Sequence, residues 1–179
     1  MTYFVLEVHP AYSPPQIKNW FGVLDQKSLK QKNRTLLPKH AAFRMENHMH
    51  TVYTDIILNP CFLVSKGVME VIRLYEPRLR FESLILLNQE KKIIRTYHLP
   101  KLEELDVLTA NSRFNRDKSV LYHAEIDATK TKKKAIFQVA NIGHPCILIR
   151  LDLVESLLRR KAVGIGLRVC LTSSSTTSF

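Results

Sequence analysis

The sequence has little cysteine, glycine or tryptophan, and it contains no long apolar run. Five glycines and eight prolines in 179 residues exclude a collagen-like or low-complexity chain. The three cysteines, Cys61, Cys146 and Cys170, are an odd number in apolar contexts, which favours buried free thiols over a disulfide framework. No stretch approaches the roughly 18 apolar residues of a membrane span, and the first residues lack the basic region of a signal peptide. We therefore expect a cytoplasmic protein that does not enter a membrane.

Acidic residues are also scarce, since 16 Asp and Glu stand against 27 Lys and Arg and give a net charge of +11. Such an excess is typical of proteins that bind a nucleic acid, an anionic membrane or an acidic protein. It is equally typical of a solvated surface, because the basic residues are scattered along the chain. The densest basic run, Lys130 to Lys134, lies between two strand-like segments and is expected to form a loop.

Motifs that carry catalysis or cofactor binding are missing. The sequence has no P-loop, nucleophile elbow or zinc-protease motif. His48 and His50 form an H-x-H pair with His40 nearby, but no further pattern completes a metal site, so surface histidines are the favoured interpretation. We expect no catalytic residue, no metal and no cofactor, and an unrecognised enzyme site near these histidines is the alternative.

Two stretches of the chain resemble each other. NPCFLVSKGVMEVIRL begins at Asn59, and HPCILIRLDLVESLLR begins at His144, 85 residues later. The identical positions are Pro60 and Pro145, Cys61 and Cys146, Leu63 and Leu148, and Glu70 and Glu155. An internal duplication would explain this spacing. The alternative is that strand-to-helix junctions resemble one another in general.

Each stretch predicts a strand, a helix and a second strand. In the first, Ser65 suits the helix N-cap and Pro77 ends the helix. In the second, Asp152 and Glu155 match a capping box, and Gly164 is a natural residue just beyond the helix. The strands of these two units are predicted at Cys61–Val64, Arg80–Leu87, Cys146–Ile149 and Ile165–Leu171.

The remaining patterns complete a single α+β domain over residues 1–171. Apolar residues at helical spacing predict a helix near the N-terminus, over Gln16–Leu24. Further strands are predicted at Tyr3–Val8, Lys92–Leu99, Val120–Ile126 and Ala135–Ala140, and short ones around Ala41–Met45. We expect a mostly antiparallel sheet, a partly irregular region within residues 1–55, and a flexible tail over residues 172–179.

Several segments between about Ile56 and Leu171 resemble the immunity protein eleven family, which is associated with bacterial polymorphic toxins. They are FLVSKGVMEVI, YHLPKLEELDVL, KAIFQVA, ILIRLDLVESLLRR and GIGL. The family's features fall on Val64-Ser65, Tyr97, Asp106, Ile136-Phe137, Asp152 to Leu158, and Gly164. The sequence departs from the family at Arg150, which stands where the family often repeats the serine of the first junction. A shared role for the two junction residues is therefore in doubt.

The resemblance implies a non-catalytic immunity protein of interbacterial competition, which binds a cognate toxin and occludes its functional surface. Because this chain is basic, the toxin is expected to present an acidic contact face. The alternative is a basic nucleic-acid-binding module. Polar, exposed loops often carry binding residues, so the expected contacts come from the irregular region 27–50 and the loop 111–118. They are Lys30, Lys32, Arg34, Arg113 and Arg116.

Overall fold

A computed structural model describes residues 1–25, 29, 41–46, 49–116 and 121–173. These residues form an α+β fold of two mixed sheets and one two-stranded antiparallel sheet, with helices packed against the mixed sheets, which confirms the predicted class. The α-helices that lie wholly within these ranges are α1 (Lys66–Tyr75) and α2 (Leu151–Arg159), and a short 3-10 helix spans Ala128–Thr131. The strands are β1 (Tyr3–Val8), β2 (Ala41–Arg44), β3 (Ile56–Ile57), β4 (Leu63–Val64), β5 (Phe81–Asn88), β6 (Ile93–Pro100), β7 (Glu104–Leu105), β8 (Arg113–Phe114), β9 (Leu121–His123), β10 (Glu125–Asp127), β11 (Ile136–Val139), β12 (Ile147–Arg150) and β13 (Ile165–Ser173).

The two sheets follow the same plan. One has the order β2-β5-β6-β4-β3 and the other β10-β13-β1-β12-β11-β7. In the first, β6 is antiparallel to both β4 and β5, so the two strands joined by α1 are parallel and separated by β6. In the second, β1 separates β12 from β13 in the same way. The flanking strands also match, because β3 is antiparallel to β4 as β11 is to β12, while β2 is parallel to β5 as β10 is to β13.

The strand registers match residue by residue, which supports an internal duplication. We call β2–β6 with α1 the first unit, and β10–β13 with α2 and β1 the second unit. Val64 of the first unit and Ile149 of the second are 85 residues apart, as the aligned stretches predict. Their cross-strand neighbours are Ile56 and His98 for Val64, and Ile136 and Phe4 for Ile149. The central strand of the second unit is therefore supplied by β1, which lies far earlier in the chain.

A buried tyrosine makes the same hydrogen bond in each unit. Tyr97 of β6 donates its hydroxyl to the carbonyl oxygen of Thr54 at 2.7 Å, and Tyr3 of β1 donates to that of Lys134 at 2.7 Å. Thr54 and Lys134 stand two residues before the start of β3 and β11, so the two bonds are equivalent. Burial raises the pKa of Tyr97, which keeps its hydroxyl protonated as a donor. Each bond ties the central strand to the segment that enters the sheet's outer strand.

One apolar cluster joins the two units. It contains the buried faces of both helices together with residues of both sheets, and its helix members are Val68, Met69, Val71, Ile72, Leu153, Val154 and Leu157. Each of these side chains contributes about 1.5–3 kcal/mol when fully buried. The opposite face of each sheet has its own cluster. Matching positions in those clusters include Tyr97 and Tyr3, Leu99 and Val5, Leu63 and Leu148, Cys61 and Cys146, and Phe43 and Ile126.

The predicted helix over Gln16–Leu24 is wrong, although its apolar spacing suits a helix. Asn19 and Gly22 adopt positive φ values of 54° and 79°, which a right-handed helix does not contain. The backbone N–H of Lys18 instead donates to the carbonyl of Arg44 at 2.8 Å. This segment is therefore a series of turns that crosses the end of β2.

The helix caps agree with the sequence only in part. Ser65 is the N-cap of α1, and its hydroxyl accepts from the N–H of Val68 at 3.4 Å, as predicted. The predicted capping box of α2 is wrong, because the N-cap is Arg150 and Asp152 already lies in the first turn. Arg150 donates through Nε to Asp152 at 2.7 Å, and this contact holds the pKa of the Asp152 carboxyl below its usual range. A carboxylate in the first turn still favours the helix electrostatically.

The C-terminal end of α2 and the C-terminal end of the domain also differ from the predictions. The residue just beyond the C-cap of α2 is Lys161, with a φ of 58°, rather than Gly164. Gly164 has a φ of 87° and lies directly before β13. Thr172 and Ser173 belong to β13 and pair with β10, so the predicted tail begins too early, and residues 174–179 lie outside the described part of the chain.

Replacing either buried tyrosine with phenylalanine tests the equivalence of the two units. Tyr3→Phe and Tyr97→Phe should each lower the free energy of unfolding by about 1–3 kcal/mol, because a carbonyl oxygen loses its donor. Tyr122→Phe is the matched control, since Tyr122 is 65% exposed, and should change stability by less than about 0.5 kcal/mol. Urea denaturation measures all three. A loss at Tyr97 with none at Tyr3 would contradict the equivalence.

Candidate functional site

Of the expected contact residues, some lie within the described part of the chain and the others lie outside it. Arg113 lies on β8 and Arg116 in the turn that follows, and both side chains are exposed. The expected loop over residues 111–118 is therefore partly a strand. Lys30, Lys32 and Arg34 lie outside the described residues, as do His40 and His48, while His50 is exposed in a turn. The structure thus places two of the five expected contacts close together.

The paired strands β8 and β9 present an exposed basic and aromatic surface. Arg113 pairs with His123 across the two strands, and the side chain of Tyr122 on β9 is 65% exposed. Arg168 of β13 donates to the carbonyl oxygen of Tyr122 at 3.2 Å. We call Arg113, Arg116 and Tyr122 the ribbon surface. Arginine and tyrosine are the residue types most enriched among energetically important interface contacts.

A charged cleft of about 300 Å³ lies where α1 connects to β5 and β6 ends. Leu79 and Leu102 contribute its apolar lining. Its charged lining consists of Glu76, Arg78, Arg80, Lys101, Glu103 and Lys134. We call this cleft the open junction.

The carboxylates of the open junction already have partners. Glu76 accepts from the N–H of Ala135 at 2.7 Å and lies 3.4 Å from Lys134 Nζ. Glu103 accepts from Lys132 and lies 3.7 Å from Lys134, and the bond from Lys132 lowers the pKa of the Glu103 carboxyl.

The basic side chains of the open junction differ in whether they have an acidic partner. Lys101 forms a 2.6 Å ion pair with Glu82. Arg78 and Arg80 form no ion pair with any described acidic side chain. The unpaired positive charge of the cleft is therefore on these two arginines.

The corresponding place in the second unit is closed. Lys101 lies four residues after Tyr97, and Glu7 lies four residues after Tyr3, so Lys101 and Glu7 are equivalent. The neighbour of Lys101 on the adjacent strand is Arg80, and the cross-strand partner of Glu7 is Gly166, so Arg80 corresponds to Gly166. The pairing of β1 with β13 continues through Val8 and Ile165, and then by a 2.9 Å hydrogen bond from the N–H of His9 to the carbonyl of Gly164. We call this place the closed junction.

The strands at the open junction separate after one matching bond. The N–H of Lys101 donates to the carbonyl of Arg80 at 2.9 Å, and the chain then leaves β5 to join the six-stranded sheet as β7. Beyond that bond, no described backbone group of residues 102–103 bonds to residues 78–79.

Glycine is required for the closed arrangement. A Cβ at Gly164 would lie 2.5 Å from Cγ2 of Thr54, and one at Gly166 would lie 2.9 Å from the backbone nitrogen of His9. A side chain at Gly164 would meet Thr54, which precedes β3, and one at Gly166 would meet the backbone just after β1. The first unit carries Arg80 where the second carries Gly166, and its strands separate beyond that position.

A second polar feature distinguishes the units. Ser83 Oγ and His98 Nδ1 lie 3.0 Å apart across β5 and β6. The corresponding cross-strand pair in the second unit is Val169 and Phe4. Burial lowers the pKa of His98, and the positive charges of Arg73 and Lys66 lower it further. The imidazole is therefore neutral at neutral pH and hydrogen-bonds to the serine hydroxyl.

The cysteines are buried and free, as predicted. Burial raises the pKa of Cys146 to about 11 and that of Cys170 to about 12, so both thiols stay protonated at neutral pH. Within the described ranges, His, Cys, Asp and Glu side chains nowhere gather in threes that could hold a metal ion. No helix in the described part of the chain has both the length and the apolar character needed to cross a bilayer.

The chain matches no protein-family model and no curated protein. The resemblance noted between its segments and the immunity protein eleven family therefore stays a prediction.

Adding a methyl group at the closed junction tests the requirement for glycine there. Gly164→Ala should lower the free energy of unfolding by more than about 2 kcal/mol, because the new Cβ collides with Thr54 in addition to taking a positive φ. Gly22→Ala is the matched control, since Gly22 also has a positive φ but its Cβ would meet nothing within 4 Å. It should cost about 1 kcal/mol. Equal losses in chemical denaturation would show that the contact with Thr54 is unimportant.

Proposed function

We propose that this chain is a non-catalytic binding protein that captures an acidic face of a protein partner. The partner is a cognate toxin, whose functional surface is occluded in the complex. The observation that carries this proposal is the ribbon surface, whose residues Arg113, Arg116 and Tyr122 are each exposed on the paired strands or in the turn after β8. Guanidinium groups bind carboxylates through two parallel hydrogen bonds, which suits an acidic partner.

The ribbon surface is held in place by the domain beneath it. Leu121 and Phe114 pack in the apolar cluster on the face of the six-stranded sheet that is opposite the helices. The Ser112 hydroxyl both donates to the carbonyl of Glu125, at 2.8 Å, and accepts from its N–H, at 3.1 Å. A surface that is ordered before binding loses less conformational entropy when the complex forms. This anchoring supports a preformed recognition surface.

The net charge of +11 supports the same partner chemistry. A positive protein approaches an acidic surface faster than a neutral one does, and rapid capture is what neutralisation of a toxin requires. The resemblance to the immunity protein eleven family supports the toxin as partner. A basic nucleic-acid-binding module is the second candidate, favoured by the same charge, and its affinity would fall steeply with salt.

Co-expression with the product of the adjacent gene tests this proposal. We expect a stable complex and protection of the host cell from that product. Arg113→Glu with Arg116→Glu should slow association by about tenfold or more, because an attraction becomes a repulsion. Association rates are measured by surface plasmon resonance.

The control variant carries Arg159→Glu and Lys161→Glu at the end of α2, which changes the net charge by the same amount. It should keep most of the wild-type rate. Absence of both complex and protection would refute the proposal. Equal slowing in the two variants would show that net charge, rather than the ribbon surface, drives association.

A further inference from the structure

We propose that the open junction is a binding site for a small dianion, which is either a phosphate monoester or a dicarboxylate. The site is formed by Arg78 and Arg80, with Leu79 and Leu102 as its apolar lining. This inference is independent of the ribbon surface and of the proposed partner.

The internal comparison shows that the cleft is not required by the scaffold. The same arrangement of strands, helix and connection occurs twice. In the second copy, backbone hydrogen bonds pair the corresponding strand ends. At the closed junction the backbone of His9 approaches Gly166 too closely for a side chain, and Arg80 stands at the equivalent position of the first unit. The first unit therefore gives up backbone pairing at this place and gains a cleft with two guanidinium groups.

The charges of the cleft favour an anionic occupant. Five basic side chains, counting Lys132, meet three carboxylates, those of Glu76, Glu82 and Glu103. The lysines are the ones that pair with these carboxylates. The surplus of two positive charges is thus carried by Arg78 and Arg80, and it equals the charge of a phosphate monoester or a dicarboxylate.

The geometry suits a small ligand. Arg78 and Arg80 are separated by one residue, and both line the same cleft. Two guanidinium groups that line one cleft can together hold two oxyanion groups, or several oxygens of one phosphate. A volume of about 300 Å³ is at the lower limit of ligand sites, which fits a small metabolite rather than a polymer.

Titration of the full chain with inorganic phosphate, succinate and acetate at low ionic strength tests the proposal. Binding is followed by two-dimensional NMR. We expect phosphate or succinate to bind at least about tenfold more tightly than the monoanion acetate, with shifts centred on residues 78–80 and 101–103. The tighter of the two dianions identifies the ligand class.

Two variants make the test specific. Arg78→Gln with Arg80→Gln replaces both guanidinium groups with neutral polar side chains, and should weaken dianion binding by about tenfold or more. Arg113→Gln with Arg116→Gln removes the same charge from the ribbon surface, and should leave the affinity within about twofold. An unchanged amide spectrum away from the cleft shows that each variant is folded. Failure of both dianions to outbind acetate, or equal weakening in the two variants, would overturn the proposal.

Discussion

The structure depends on one strand being held between two parallel strands in each sheet. A helix connects the parallel pair, and the strand between them supplies hydrogen bonds to both. In the first unit this strand is β6, the neighbour of β5 in the chain, whereas in the second it is β1. Tyr97 and Tyr3 bind matching carbonyl groups from these strands. The second unit is therefore complete only when β1 has been brought to strands that follow much later in the chain.

Repetition of the scaffold separates what folding requires from what it does not. Residues that match between the units fill equivalent core positions, as Leu63 and Leu148 do. At several positions the first unit carries a polar side chain where the second carries glycine or an apolar side chain, as Ser83 and His98 do against Val169 and Phe4. Arg80 against Gly166 is the clearest case, because the glycine permits closure and the arginine leaves a charged cleft. Such differences are where specific binding can be added without loss of the fold.

Local signals in the sequence predicted the longer strands and the helices α1 and α2 well, because burial imposes a period of two or 3.6 residues. The similarity of the stretches that begin at Asn59 and His144 could be recognised in the sequence for the same reason. The local signals missed the short strands β7 and β8. Prediction failed where long-range contacts decide the conformation, as in the turns around Asn19 and Gly22, which cross the end of β2. The open junction could not be predicted, since Arg78 and Arg80 follow a proline and resemble an ordinary polar turn. Only the register of β13 against β1 shows that a glycine, Gly166, occupies the position of Arg80 in the other unit.

Native-state hydrogen exchange of β1 tests the central claim most directly. If β1 is the integral central strand of the second unit, its amides should exchange only through global unfolding. Their protection should then lie within about tenfold of that measured for the amides of β6. If the β1 amides instead exchange through a local opening of much lower free energy while β6 stays protected, β1 can separate from the sheet by itself. That result would contradict the equivalence of the two units.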